Sequence, residues 1–179
     1  MTKITTLTTS IFFTFILFVS CKNSDNSKIS ASDKTEISST EKEVAQKDIS
    51  NKIDEIIEGC KQLNVDSALK PYSDSSDFVI VNTDGSVTNF QTMRNAQTEF
   101  FKSAKSINFT TIKEDFKFLS KFLVLCTWTG RNEFELKSGE RMKIEPYVGS
   151  MLFSKTDNNW KIIYAHESSA TPVKVENKK

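Results

Sequence analysis

Trp160-Lys-Ile-Ile-Tyr-Ala-His-Glu-Ser168 is the stretch on which the fold turns. Its large apolar side chains recur at the two-residue period of a half-buried strand, and Asp157-Asn158-Asn159 just before it is a turn signal. The hairpin implied there sends the chain back into 141–155. Ser138-Gly139 then turns that segment into 122–136, and Leu119-Ser120-Lys121 turns 122–136 into 107–118. Four long antiparallel strands are predicted: 107–118, 122–136, 141–155 and 160–169.

Centring the two later hairpins on Ser138-Gly139 and Asp157-Asn158 sets a register. One face carries the rows Val124–Phe153–Ile162, Cys126–Met151–Tyr164, Trp128–Gly149–His166 and Gly130–Tyr147–Ser168. The other carries Leu125–Leu152–Ile163, Thr127–Ser150–Ala165 and Thr129–Val148–Glu167. A one-residue slip exchanges the faces of a strand, so every assignment of a side chain to a face rests on this register. On the first face, Gly149 leaves a gap between Trp128 and His166. Tyr164, Tyr147, Ser168 and Glu145 are expected nearby, and Glu114 is expected opposite Cys126.

Upstream of the sheet the period changes to helical. Thr40 and Glu43 form a capping box, and Ile49, Ile53, Ile56, Ile57, Cys60 and Leu63 fall on one face of a helix running to about Gln62. A short helix near 66–72 is ended by Pro71. Residues 78–81 read as a strand with Asp84-Gly85 as its turn. Thr88 with Gln91 caps a third helix that carries Phe90, Met93, Ala96, Phe100, Phe101 and Ala104 inward. The fold class is therefore α+β, with N-terminal helices packed on a curved antiparallel sheet as a cone-shaped half-barrel.

Composition narrows the chemistry. With 24 Lys+Arg against 23 Asp+Glu there is no broad electrostatic pull toward nucleic acid, and five scattered glycines build no phosphate-cradling loop. One His and three widely spaced cysteines make no zinc site, so no metal or other cofactor is expected. Cys60 and Cys126 read as core thiols that would pair only if the first helix lies over 122–136. Ser168 lacks the strained elbow of a hydrolase nucleophile.

At the N-terminus, Lys3 and the apolar run 11–19 have signal-peptide length, too short for the roughly 20 residues that span a bilayer. Val19-Ser20-Cys21, with Phe18 in the place of the usual Leu, resembles the lipobox of bacterial lipoproteins, in which the cysteine is acylated. That resemblance implies that 1–20 is a lipoprotein signal peptide and that Cys21 is lipidated. It places the protein in the bacterial cell envelope, anchored on the periplasmic face or at the outer membrane. A plain secretory peptide with Cys21 as an ordinary thiol is the alternative. Residues 21–40 are Ser-rich and nearly devoid of large apolar side chains, a flexible tether; 41–171 is the folded domain and 172–179 a disordered tail.

Three helical segments followed by a sheet that closes on 160–168 resemble the SnoaL-like branch of the nuclear transport factor two-like superfamily. The association domain of calcium/calmodulin-dependent kinase II has a similar closing strand. The resemblance implies the cone-shaped fold with a pocket. Where that relative carries pocket arginines, this chain has Trp128 and Met151, which implies an apolar pocket and a small apolar ligand. The pocket set is Trp128, Tyr147, Gly149, Tyr164, His166, Ser168, Glu114 and Glu145. Binding or interaction without turnover is the leading expectation. A ketone isomerase or cyclase using Glu114 or Glu145 as base, with Tyr164, Tyr147 or His166 as donor, is a second, and a purely structural assembly module a third. Leu125, Leu152 and Ile163, with Leu123 and Ala165 nearby, form an apolar outer row through which a homodimer is expected.

Overall fold

The computed structural model describes residues 37–176. The expected signal peptide, Cys21 and residues 21–36 of the expected tether lie outside them. Helix α1 (Ser39–Lys61) opens on a capping box, but on Ser38 and Glu41 rather than Thr40 and Glu43. The run Ser38-Ser-Thr-Glu-Lys-Glu43 holds both frames, and the earlier one adds two residues to the helix. Ala45, Ile49, Ile53 and Cys60 are its buried face. Gly59 is needed for close approach, since a Cβ there would sit 2.3 Å from the Ala68 backbone nitrogen of α2 (Val65–Leu69).

The short strands β1 (Val79–Val81) and β2 (Val87–Thr88) form a hairpin through Gly85, whose φ of 82° suits glycine. Helix α3 (Phe90–Ser103) is capped by the Asn89 side chain accepting from Thr92 N, one residue later than the Thr88 frame. It runs without a loop into β3 (Ala104–Ser120), followed by β4 (Leu123–Leu136), β5 (Arg141–Thr156) and β6 (Asn159–Ser169). The sheet order is β2-β1-β6-β5-β4-β3, with β1 parallel to β6 and the long strands antiparallel. A last strand, β7 (Val173–Lys174), pairs with Met142 and Lys143 of β5, so part of the expected tail belongs to the sheet.

Val124, Phe153, Ile162 and Ile49 are wholly buried, and Trp160 is nearly so; with Ala45 and Ile53 they form one core cluster that joins α1 to the sheet. Each such side chain stabilises the fold by about 1.5–3 kcal/mol. Among the described residues no helix is long and apolar enough to cross a membrane.

The expected register holds from Leu123 to Gly130 against β5, including Trp128 opposite Gly149. Past Gly130 a bulge in β5, where Glu145 and Pro146 stand opposite the single residue Arg131, shifts the pairing by one. Between β5 and β6 the expected pairs survive only from Asn159 to Ile162. A bulge at Ile163 then makes Leu152 pair with Tyr164, Met151 with Ala165, Ser150 with His166 and Gly149 with Glu167. The cause lies on the other side of β6. Ile162 exchanges backbone hydrogen bonds with the segment after α2, donating to Pro71 O at 2.9 Å and accepting from Ser73 N at 2.8 Å. From Tyr164 onward the neighbour is β1. Ile163 is the extra residue where β6 changes partners, and beyond it every side chain faces the opposite way.

Candidate functional site

The flipped end of β6 decides which groups share the concave face. Ala165 is buried and Glu167 points inward, whereas Tyr164, His166 and Ser168 stand exposed on the outer face. The expected row Trp128–Gly149–His166 is thus corrected to Trp128–Gly149–Glu167. Glu145 also leaves the set: it is exposed at the bulge, paired with Lys143 at 2.5 Å, which holds its carboxyl below the usual range. Glu114 pairs with Trp128 rather than Cys126, because the hairpin turns at Lys121-Phe122, later than expected, and the bulge at Leu119 takes back only one residue of that shift. There its carboxylate accepts from Ser50 Oγ of α1, outside the cavity wall.

Trp128, Tyr147 and Gly149, by contrast, line a cavity of about 540 Å³ between the sheet, α1, α2, β1 and α3. Its size is that of a site for a small organic molecule. The α1 side is Ile53, Ile56, Ile57 and Cys60; the α3 side is Met93, Ala96 and Phe100. Asn82, Asp84 and Ser86, at the exposed β1–β2 turn, make a polar rim. Asn82 Nδ2 donates to Ser86 Oγ at 3.0 Å and Thr88 Oγ1 at 3.3 Å, so the rim is braced by its own hydrogen bonds.

Aromatic packing sets the floor. The Phe109, Trp128 and Tyr147 rings meet edge to face, with centroids 5.8–6.4 Å apart. The Trp128 indole lies over Gly130, and its Nε1 donates to Thr111 Oγ1 at 2.9 Å. A Cβ on Gly130 would fall 2.2 Å from the Trp128 ring, whereas one on Gly149 would meet only the Met151 methyl, at 3.9 Å. Gly130 seats the tryptophan, and Gly149 opens the wall.

Among the described residues, Glu167 is the one carboxylate that lines the cavity inward of the rim, where Asp84 stands. Burial raises its pKa, and the hydrogen bond that Tyr147 donates to it opposes that rise only in part. Burial first, then the carboxylate's charge, keep the Tyr147 phenol well above its ordinary range; the same two causes raise Tyr72 and push the Cys60 thiol up to about 12. Both phenols and the thiol are therefore protonated groups grouped around one titratable carboxyl. Such a site can accept a ligand's hydroxyl through the carboxylate, offer a carbonyl a phenol, or move a proton.

Cys60 and Cys126 are both free and lie in separate core clusters. Among the described residues no three His, Cys, Asp or Glu side chains gather into a metal-holding group. Glu167, Tyr72 and Cys60 were not in the pocket expected from the sequence. The available signal was Ile162-Ile163, two large aliphatics in succession that break the two-residue period.

No family model matches the chain, and no curated protein does. Solved structures do. A hexachlorocyclohexane dehydrochlorinase, LinA-type3 from Novosphingobium barchaimii, superposes with a TM-score of 0.66 at 10% identity, over 77% of this chain and 94% of that one. An NTF2-like superfamily protein from Salmonella enterica gives 0.65 at 10% identity, over 73% and 94%. An NTF2-like protein of unknown function from Shewanella oneidensis gives 0.54 at 20%, over 69% and 98%. Similarity at these identities is similarity of fold, shared by an enzyme and by a protein with no known activity. The helices and curved, unclosed sheet of residues 37–176 therefore have the nuclear transport factor 2-like, SnoaL-like α+β fold.

Proposed function

We propose that this protein is a cell-envelope binding domain, anchored through an acylated Cys21, whose cavity receives a small, largely apolar molecule carrying one hydrogen-bonding group. The observation that carries this reading is the single inward carboxyl, Glu167, joined to Tyr147 in an otherwise mostly apolar cavity of about 540 Å³. An apolar body gains from leaving water for the aromatic floor, and the Tyr147–Glu167 pair fixes its orientation. The neutral dye N-phenyl-1-naphthylamine tests the cavity. It should bind saturably at one site and be excluded by Gly149→Phe; binding that is non-saturable, or indifferent to Gly149→Phe, refutes the pocket. Labelled palmitate tests the anchor: incorporation that Cys21→Ala abolishes supports it, and an unlabelled wild type refutes it while leaving the cavity standing.

One observation favours a second reading, proton transfer. A carboxyl with a raised pKa beside a phenol donor is the equipment for abstracting a proton next to a carbonyl. Glu167 would take the proton from carbon, the electron pair would pass to the carbonyl oxygen, and a tyrosine hydroxyl would stabilise the enolate. In a β,γ-unsaturated ketone the enolate extends over the double bond, and return of the proton at the γ-carbon completes an isomerisation. Exchange of deuterium into a cyclic ketone, lost in Glu167→Gln, would support turnover. Exchange that survives Glu167→Gln would refute Glu167 as the base.

A further inference from the structure

A second depression of about 350 Å³ lies at the opposite end of α1 from the cavity. Its apolar lining comes from Ile37 just before α1, from Val44 within α1, and from Phe118 and Phe122 of the β3–β4 hairpin. Two large apolar side chains of its lining face solvent: Val44 at 54% exposure and Phe122 at 53%. Two cations stand among them. Lys121 Nζ lies 4.9 Å from the Phe122 ring centroid, and Lys155 Nζ 5.6 Å from that of Trp160. Trp160, itself 2% exposed, lines the groove and keeps its indole N–H without a hydrogen-bond partner. Glu41 is the groove's carboxylate, and it is engaged by Ser38 in the capping box.

Exposed apolar tips and two lysines together fit a surface that is apolar within and anionic at its face. Chain geometry says which one. Ile37 lies in this groove, and only residues 22–36, fifteen positions, separate it from Cys21. Even fully extended they reach about 50 Å. The end of the domain nearest the proposed anchor along the chain is thus the end that carries the amphiphilic patch. We infer that this groove is a membrane-docking face: Val44 and Phe122 insert among the acyl chains of an anionic phospholipid bilayer, and Lys121 and Lys155 meet its headgroups. Wholly buried Ile49, Val124, Phe153 and Ile162 fill the interior between groove and cavity. From Val44 to Ile56 is about 18 Å along the helix. Docking therefore leaves the cavity mouth in water. The inference rests on the anchor but not on what occupies the cavity.

The full chain in vesicles tests it. Trp128→Phe leaves Trp160 as the only tryptophan, so emission reports on the groove. In vesicles of phosphatidylcholine and phosphatidylglycerol with brominated acyl chains, Trp160 should lose most of its emission relative to unbrominated lipid. Adding Lys121→Glu and Phe122→Glu should restore that emission while the protein still floats with the vesicles. Floating protein with unquenched Trp160 overturns docking and leaves the anchor intact; protein that does not float overturns both. Should Trp128→Phe fail to fold, Phe122→Trp in the otherwise unchanged chain gives the same answer through a blue shift with anionic vesicles, its absence counting against docking. A shift of Trp160 emission with monomeric dodecyl phosphate but no quenching by vesicles would make the groove a free-ligand site and overturn the membrane assignment.

Discussion

Gly130→Ala and Gly149→Ala change neighbouring strands on the same concave face by the same single methyl, yet they should have opposite effects. At Gly130 the new Cβ would stand 2.2 and 2.3 Å from two Trp128 ring carbons and 2.5 Å from Thr110 O. The backbone oxygen cannot yield without disturbing the β3–β4 ladder, so the indole has to move. Overpacking of this kind costs about 1–3 kcal/mol. Moving the indole also breaks the 2.9 Å bond to Thr111 Oγ1, about 1 kcal/mol more. The expected loss is roughly 2–4 kcal/mol, or about 6–12 °C in melting temperature at about 3 °C per kcal/mol for a domain of this size. At Gly149 the Cβ meets only the Met151 methyl at 3.9 Å, so Gly149→Ala should be neutral or gain about 0.4–1 kcal/mol from the stiffer unfolded chain. Urea denaturation followed by tryptophan emission measures both. Because Trp128 lines the cavity, displacing its indole in Gly130→Ala should also weaken dye binding. A Gly130→Ala protein with wild-type midpoint and emission would refute the seating of Trp128 on Gly130.

Glu167 makes a pH prediction. Its folded pKa is raised while the unfolded one is ordinary, so stability is fullest below the ordinary carboxylate value and falls as pH rises through the raised one. Glu167→Gln should remove that decline, and denaturation midpoints at mildly acidic and mildly alkaline pH check it; an equal slope in both proteins would refute the burial of the charge. Gly149→Phe should fill the cavity and leave the melting temperature unchanged or raised; a clear fall would mean the wall is already packed. On the outer face Leu125 and Leu152 share a row with Tyr164, with Ile163 beside them. We expect residues 22–179 to sediment as a dimer and Leu152→Glu as a monomer, a monomeric wild type refuting association through this face.

Local chemistry was legible wherever the deciding contact lies nearby in the chain. The helices followed from spacing and caps, with errors of one or two residues where Ser38 and Asn89 competed with adjacent capping residues. The row joining Trp128 and Gly149 followed from a hairpin whose two arms are consecutive in sequence. By itself, then, the sequence determined the α+β cone, the order of its four long strands and three of the cavity's residues, Trp128, Tyr147 and Gly149. Only the tertiary structure decided the fourth wall. Pro71 and Ser73, some ninety residues upstream, hold the backbone of Ile162, and β1 takes over from Tyr164. The residue left between them is forced out as a bulge. A strand with a period of two has no intermediate response to one extra residue, so His166, Tyr164 and Ser168 turn to solvent and Glu167 turns in.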